Sequence, residues 1–365
     1  MTQPITEDTV LKTVAKFEVK YLQYLDEDGK PLGKKLPSFA KDTELLRKLY
    51  TDMARVRAFD AKAYALQRTG KLGTYPASLG QEAIGVGYGS VMRKEDVLVP
   101  YYRSTAGLMQ HGVTMAEILT YWGGDERGSD FKYAREDLPI AVPIATQCLN
   151  AAGVATAFKL RGQARVAVTE IGEGGTSKGD FYEAINVAGV WRLPVLFVVN
   201  NNQWAISVPS EIQTAAETYA QKAIAAGIHC LQVDGNDILA VREAAEQALE
   251  RARRGEGATL LECISYRLCD HTTADDASRY RTEEEVKQGW RREPMRRLRK
   301  YLESLNAWSD ADEETMNKTI AEEVEAAVQE YLSMPAPKAT DMLDYLYAEL
   351  PEKLREQRDE LARGE

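Results

Sequence analysis

Both common glycine signatures for phosphate are missing from this 365-residue chain. In its one glycine-rich turn the glycines fall at Gly172, Gly174, Gly175 and Gly179, which does not fit Gly-x-Gly-x-x-Gly, and no Gly-x-x-x-x-Gly-Lys-Ser/Thr occurs. A dinucleotide-type dehydrogenase and a P-loop nucleotidase are therefore poorly supported. Cysteine is scarce as well. The four residues, Cys148, Cys230, Cys263 and Cys269, form no Cys-x-x-Cys pair and no zinc-like spacing, so reduced thiols in a cytoplasm fit best. No apolar run approaches the length of a membrane span, and the opening MTQPITEDTVLK lacks both a long apolar region and an Arg-rich, acid-poor character. A cytoplasmic protein without a targeting peptide is expected. The net charge of −10 argues against nucleic acid and anionic membrane as partners. The local run Arg291, Arg292, Arg296, Arg297 and Arg299 is read as a solvated helix face near a subunit contact.

What is present is an ordinary globular composition, 44% hydrophobic and 28% charged, on a chain long enough to bury a large core. Strand-like runs alternate with helical periodicity. Asp96–Pro100, Arg165–Thr169, Val195–Val199, His229–Val233 and Ala258–Tyr266 read as strands. Thr43–Leu66, Leu149–Leu160 and the segment that Asp237 caps and Gly255 ends read as helices. The chain becomes helical and charged from Glu283, and Pro335-Ala336-Pro337 sets off a C-terminal helix pair. Repeated strand-helix units imply an α/β fold, a doubly wound and mainly parallel sheet with helices on both faces and ligands at the strands' carboxyl ends. Three regions are expected: an arm over 1–40, a catalytic domain over 41–334, and a helical segment at subunit contacts over 335–365.

The most informative stretch joins the glycine-rich turn to a helix and then to a buried strand ending at Asn200-Asn201-Asn202. Gly172, Gly174 and Gly175 allow unusual dihedrals and close approach of an anion, and Thr176, Ser177 and Asp180 are possible caps for the helix that follows. Glu173 and Asn202 lie one strand-helix-strand crossover apart. A hard divalent cation wants oxygen ligands, and Glu173, Asn202 and the carbonyl of Trp204 supply them beside amides suited to a diphosphate. Of the three histidines, His111 and His229 read as structural. His271 stands in a polar loop after a strand end, where solvation is the plain alternative.

This stretch resembles the thiamine diphosphate motif, and the chain from about Thr43 to Leu361 resembles alpha subunits of the decarboxylating component of 2-oxoacid dehydrogenase complexes. The likeness is carried by Gln67-Arg68-Thr69-Gly70-Lys71, Gly80-Gln81-Glu82-Ala83, Tyr102-Arg103, Gly179-Asp180-Phe181-Tyr182-Glu183, Tyr266-Arg267 with His271, and Glu349-Leu350-Pro351. One departure stands out: the family has Asp where this chain has Glu173.

The resemblance implies thiamine diphosphate with Mg2+ (or Mn2+) as cofactors. It assigns cofactor contacts to Tyr102, Arg103, Ile144, Gly172, Glu173, Gly174, Gly175, Asn202, Trp204, Arg267 and His271. Glu173, Asn202 and Trp204 would hold the metal, Thr74 and Tyr75 would line the substrate pocket, and His271 would be catalytic near the bound oxoacid. The implied reaction is oxidative decarboxylation of a 2-oxoacid with acyl transfer to a lipoyl group. Pyruvate is favoured as the substrate, with the branched-chain 2-oxoacid enzyme and then the acetoin enzyme as alternatives. The implied partners are a beta subunit in an alpha2-beta2 tetramer and a lipoyl-bearing acyltransferase. A non-catalytic assembly subunit is the reading of a different class, motivated by Glu173.

Overall fold

The computed structural model describes residues 12–364. Its strands are β1 (Tyr21–Leu22), β2 (Val97–Val99), β3 (Ala167–Gly172), β4 (Val195–Asn201), β5 (Trp204–Ala205), β6 (Val208–Pro209), β7 (His229–Asp234) and β8 (Thr259–Ile264). Six of them form one parallel sheet in the order β1-β7-β8-β4-β3-β2, while β5 and β6 make a separate antiparallel hairpin. The helices that flank the sheet are α1 (Thr43–Arg68), α2 (Glu82–Gly89), α3 (Thr105–His111), α4 (Met115–Trp122), α5 (Thr146–Leu160), α6 (Gly179–Val190), α7 (Lys222–Ala226) and α8 (Ile238–Arg253). Charged helices follow: α9 (Glu283–Arg292), α10 (Pro294–Ser304), α11 (Asp310–Ser333), α12 (Asp341–Asp344) and α13 (Glu352–Arg363). Among the described residues no helix is long and apolar enough to cross a membrane.

The doubly wound arrangement follows from strand burial. Every residue of β4 is buried, so its apolar run must satisfy two layers. Leu196 and Val198 join the core shared with α1, α2, α8, α10 and α11, whereas Val195, Phe197 and Val199 join the core shared with α5, α6 and α7. The β3-to-β4 crossover therefore runs over one face and the β7-to-β8 crossover over the other. The winding reverses between β4 and β8, which is where doubly wound sheets open a crevice at their carboxyl ends.

Several local expectations are revised. The third strand starts two residues later than Arg165 and runs on to Gly172. None of Thr176, Ser177 and Asp180 caps α6: a 3-10 turn over Glu173–Ser177 intervenes, and Lys178 precedes α6 with no side-chain cap. The arginine run is not a uniformly solvated face. Arg297 is 2% exposed and donates to Asp234 Oδ2 at 2.6 Å. His111, at the end of α3, bonds Asp137 at 2.6 Å, and His229 is exposed at the start of β7.

The first eleven residues of the expected arm lie outside the described residues. The rest of the arm reaches the sheet edge as β1, beside β7. Asp237 staples it there: its Oδ2 accepts from the amides of Tyr24 and Leu25 at 2.6 and 2.7 Å, while its Oδ1 caps α8 through Leu239 and Ala240. Four amides depend on one buried carboxyl. Asp237→Ala is expected to lower stability by roughly 2–4 kcal/mol, since a cap is lost and buried donors are orphaned. Asp237→Asn, which keeps one acceptor oxygen, should cost less. Urea unfolding of the purified chain measures both, and a loss under about 1 kcal/mol for alanine would mean the arm is held elsewhere.

Candidate cofactor and metal site

Parallel register brings the site together. Gly172 pairs with Asn200, and Asn201 pairs with Ile264, so the segments leaving β3, β4 and β8 emerge side by side. A cavity of about 350 Å³ opens there. Its lining includes Tyr102, Arg103, Ile144, Gly172, Glu173, Gly174, Gly175, Asn202, Trp204 and His271. Three of the expected site residues do not line it: Arg267, Thr74 and Tyr75.

The glycines earn their place by proximity and not by dihedral angle, because none of Gly172, Gly174 and Gly175 has positive φ. A Cβ on Gly174 would meet Ala205 Cβ at 2.4 Å, and one on Gly175 would meet the Ile171 side chain at 2.7 Å. A Cβ on Gly172 would meet nothing within 4 Å, so the turn packs tightly on the protein side and stays open at its first residue. Ile144 is 44% exposed and is not a core isoleucine. It precedes Ala145, whose φ of 71° is a left-handed conformation that costs a non-glycine residue energy and is held by its surroundings.

The oxygen donors converge. Glu173 is 1% exposed, and its Oε2 accepts from the Asn202 amide at 3.3 Å. Asn202 is oriented by its neighbours: Nδ2 donates to Gln81 Oε1 at 2.9 Å, and Oδ1 accepts from the Trp204 amide at 3.3 Å. Its nitrogen is therefore spoken for, while its oxygen keeps a second lone pair for a ligand. Burial raises the Glu173 carboxyl above its ordinary value. A cation would offset that cost. Among the described residues no group of three or more His, Cys, Asp or Glu converges, so a cation here relies on amide, carbonyl and ligand oxygens, the donor set that Mg2+ shares with phosphates.

Two buried arginines flank this set. Arg267 is 0% exposed and donates to the carbonyls of Trp204 at 3.1 Å and Ile206 at 2.8 Å, and to the Tyr280 hydroxyl at 2.8 Å. Arg103 donates to the carbonyls of Ala77 and His271. Among the described residues neither forms an ion pair. Two desolvated cations with only neutral partners make this corner favourable for an anion.

They also set the state of His271. Arg103 Nη2 lies 3.2 Å and Arg267 Nη1 3.4 Å from His271 Nδ1. Guanidinium groups only donate, so Nδ1 accepts and the ring is neutral, with its proton on Nε2. Burial and the two arginines push the imidazole down to about 3. The loop is held by the His271 amide donating to Asp275 Oδ2 at 2.8 Å.

Thr74 is exposed. The Tyr75 hydroxyl points away from the cavity to Asp60, at 2.5 Å. Tyr75 reaches the site through its backbone, which exchanges hydrogen bonds with Thr273 in the His271 loop. Sequence reasoning also missed Glu170, a carboxyl buried in β3 beneath the cavity. It accepts from Tyr88, Ser104 and Asn200 at 3.0–3.1 Å and from Tyr101 at 3.4 Å. A charged residue inside an apolar strand was the available signal. Gln81, inside the quoted Gly80–Ala83 block, was visible but had no role until its contact with Asn202 appeared.

Comparison with known proteins agrees with this architecture. The family described as "Dehydrogenase E1 component" matches residues 50–340. The pyruvate dehydrogenase E1 component subunit alpha of Staphylococcus aureus is 39% identical over 346 residues, covering 94% of this chain and 93% of that protein. Its counterpart in Staphylococcus epidermidis is 39% identical over 347 residues, covering 95% and 93%. The match spans every residue that lines the cavity, from Tyr101 through the glycine turn to His271, and the chain belongs to the dehydrogenase E1 component family.

Proposed function

We propose that this chain is the alpha subunit of a pyruvate dehydrogenase E1 component. With thiamine diphosphate and Mg2+ (or Mn2+) it takes part in the oxidative decarboxylation of pyruvate and the transfer of the acetyl group to a lipoyl domain. The observation that carries the reading is a single corner of the molecule. There, the buried Glu173 carboxyl, Asn202 and Trp204 line one cavity with the glycine turn, beside two arginines that form no ion pair with any described residue.

Bound thiamine diphosphate supplies the carbon nucleophile and the electron sink for decarboxylation. The chain's part is binding, orientation and electrostatics. Glu173, the Asn202 amide oxygen and the Trp204 carbonyl would hold the cation. The turn from Gly172 to Gly175 would receive the diphosphate, and Ile144 would give an apolar wall to the cofactor. Arg103 and Arg267 lower the energy of anions in the cavity. His271, neutral with Nε2–H, would donate a hydrogen bond to an oxygen of the oxoacid on which charge develops, without titrating during turnover. Thr74 and Tyr75 would act on the substrate pocket indirectly, through the loop they brace.

The remaining catalytic groups belong to a beta subunit in an alpha2-beta2 assembly, and a lipoyl-bearing acyltransferase receives the acyl group. The exposed Met342, Tyr345, Leu346 and Tyr347 near the C-terminus support subunit contacts for residues 335–365, with residues 41–334 as the catalytic domain. The enzyme is assigned to the cytoplasm.

Three outcomes test this. First, the chain co-purified with its beta partner should reduce an artificial electron acceptor faster with pyruvate than with 3-methyl-2-oxobutanoate. The reverse preference would assign the branched-chain enzyme, and no cofactor binding at all would favour the assembly role. Second, Glu173→Ala should weaken Mg2+-dependent thiamine diphosphate binding by on the order of 100-fold, read by fluorescence quenching. Third, nitrogen-15 spectra of the cofactor-free protein should show His271 as the neutral Nε2–H form from pH 7 down to pH 5. The sign follows from the lowered value: the unfolded chain takes up the proton near pH 6.5. Stability from this group is thus whole above that pH and is lost as pH falls towards about 3. An imidazolium signal at pH 6 would contradict the arginine-flanked geometry.

A further inference from the structure

We infer that Gln213 is a positioning residue for Glu173, and that its contact depends on the length of the glutamate side chain. The inference rests on the reading of Glu173 as a cation ligand. Gln213 follows the β5–β6 hairpin and a short 3-10 turn, Ser210–Ile212. Its Nε2 donates to Val208 O at 2.9 Å and to Glu173 Oε1 at 3.3 Å. Its Oε1 accepts from the Tyr219 hydroxyl at 3.3 Å. Tyr219 is anchored in turn by Ser210, through the side chain at 3.0 Å and the carbonyl at 3.3 Å.

The amide has one workable orientation. A carbonyl and a carboxylate both accept only, so flipping Gln213 would face oxygen to oxygen at both Val208 and Glu173. The side chain is therefore a fixed donor aimed at Glu173 from the hairpin side. The hairpin that carries it is itself pressed onto the glycine turn, since a Cβ on Gly174 would meet Ala205 Cβ at 2.4 Å and Gln213 Oε1 at 3.4 Å.

Glu173 needs such a partner. Glutamate has one more rotatable bond than aspartate, and fixing it costs rotamer entropy on cation binding. Gln213 holds Oε1 and the Asn202 amide holds Oε2, so the carboxylate is ordered before a cation arrives. An outer partner of this kind typically tunes metal affinity by 10–100-fold. An aspartate would draw the carboxylate back by about 1.5 Å, one C–C bond length, and would open the contact with Gln213 past hydrogen-bond range.

The test uses the full chain assembled with its beta partner and Mn2+ as the probe. Mn2+ is titrated in the presence of thiamine diphosphate and followed by the electron paramagnetic resonance of the free ion. Gln213→Met, nearly isosteric but without the donor, is expected to weaken Mn2+ binding about 10-fold. In a Glu173→Asp background, Gln213→Met is expected to change nothing more. Unchanged Mn2+ affinity in Gln213→Met would overturn the inference. So would an equal loss in both backgrounds, which would reduce Gln213 to a packing element of the hairpin. If Glu173→Ala retains wild-type Mn2+ binding, the cation reading itself fails and takes this inference with it.

Discussion

The site depends first on one constraint, the parallel register of β3, β4 and β8. Because β4 is buried on both faces, its apolar run leaves polar residues nowhere but the carboxyl end. There the pairing of Gly172 with Asn200 and of Asn201 with Ile264 sets three strand exits abreast. A slip of one residue would turn each side chain to the other layer, so the core that stabilises the sheet also fixes the site. Glu173, Asn202 and Arg267 need no flexible loop to find one another.

Beneath the cavity and around it, polar groups are satisfied in a graded way. Glu170 takes four neutral donors and no cation, and Asn202 is pinned by Gln81 and the Trp204 amide. Arg103 and Arg267 spend their donors on carbonyls, a hydroxyl and the His271 ring. Among the described residues that leaves two arginines with no direct ion pair near the cavity, close to a buried carboxyl that desolvation raises and Arg267 lowers. A dication with an anionic diphosphate would neutralise both at once. The same arginines keep His271 neutral, so electrostatics and hydrogen-bond direction at the site have a common source.

Much of this was legible from residues alone. The apolar run at Val195 announced a doubly covered strand, Asp237 and Gly255 bounded a helix as expected, and the Glu173–Asn202 spacing foretold their contact. The glycine turn was read as allowing unusual dihedrals and the close approach of an anion. None of Gly172, Gly174 and Gly175 has positive φ, and the close approach seen is that of Ala205 and Ile171. Sequence cannot separate the uses of glycine. Helix caps failed at Thr176, Ser177 and Asp180, where a 3-10 turn took over. Arg297 looked like its exposed neighbours because its partner Asp234 is distant in sequence. Gln213 was invisible for the same reason, its role being a set of long-range contacts, whereas Glu170 left one local trace, a charge inside an apolar strand.

The central claim is that Glu173, Asn202 and the Trp204 carbonyl form one cation site. Its most direct measurement is the anomalous scattering of Mn2+ in crystals of the assembled enzyme with thiamine diphosphate. The account expects one peak at the cavity with oxygens of all three residues at about 2.0–2.3 Å. A peak that leaves Glu173 outside coordination distance, or none at the strand ends, would contradict it.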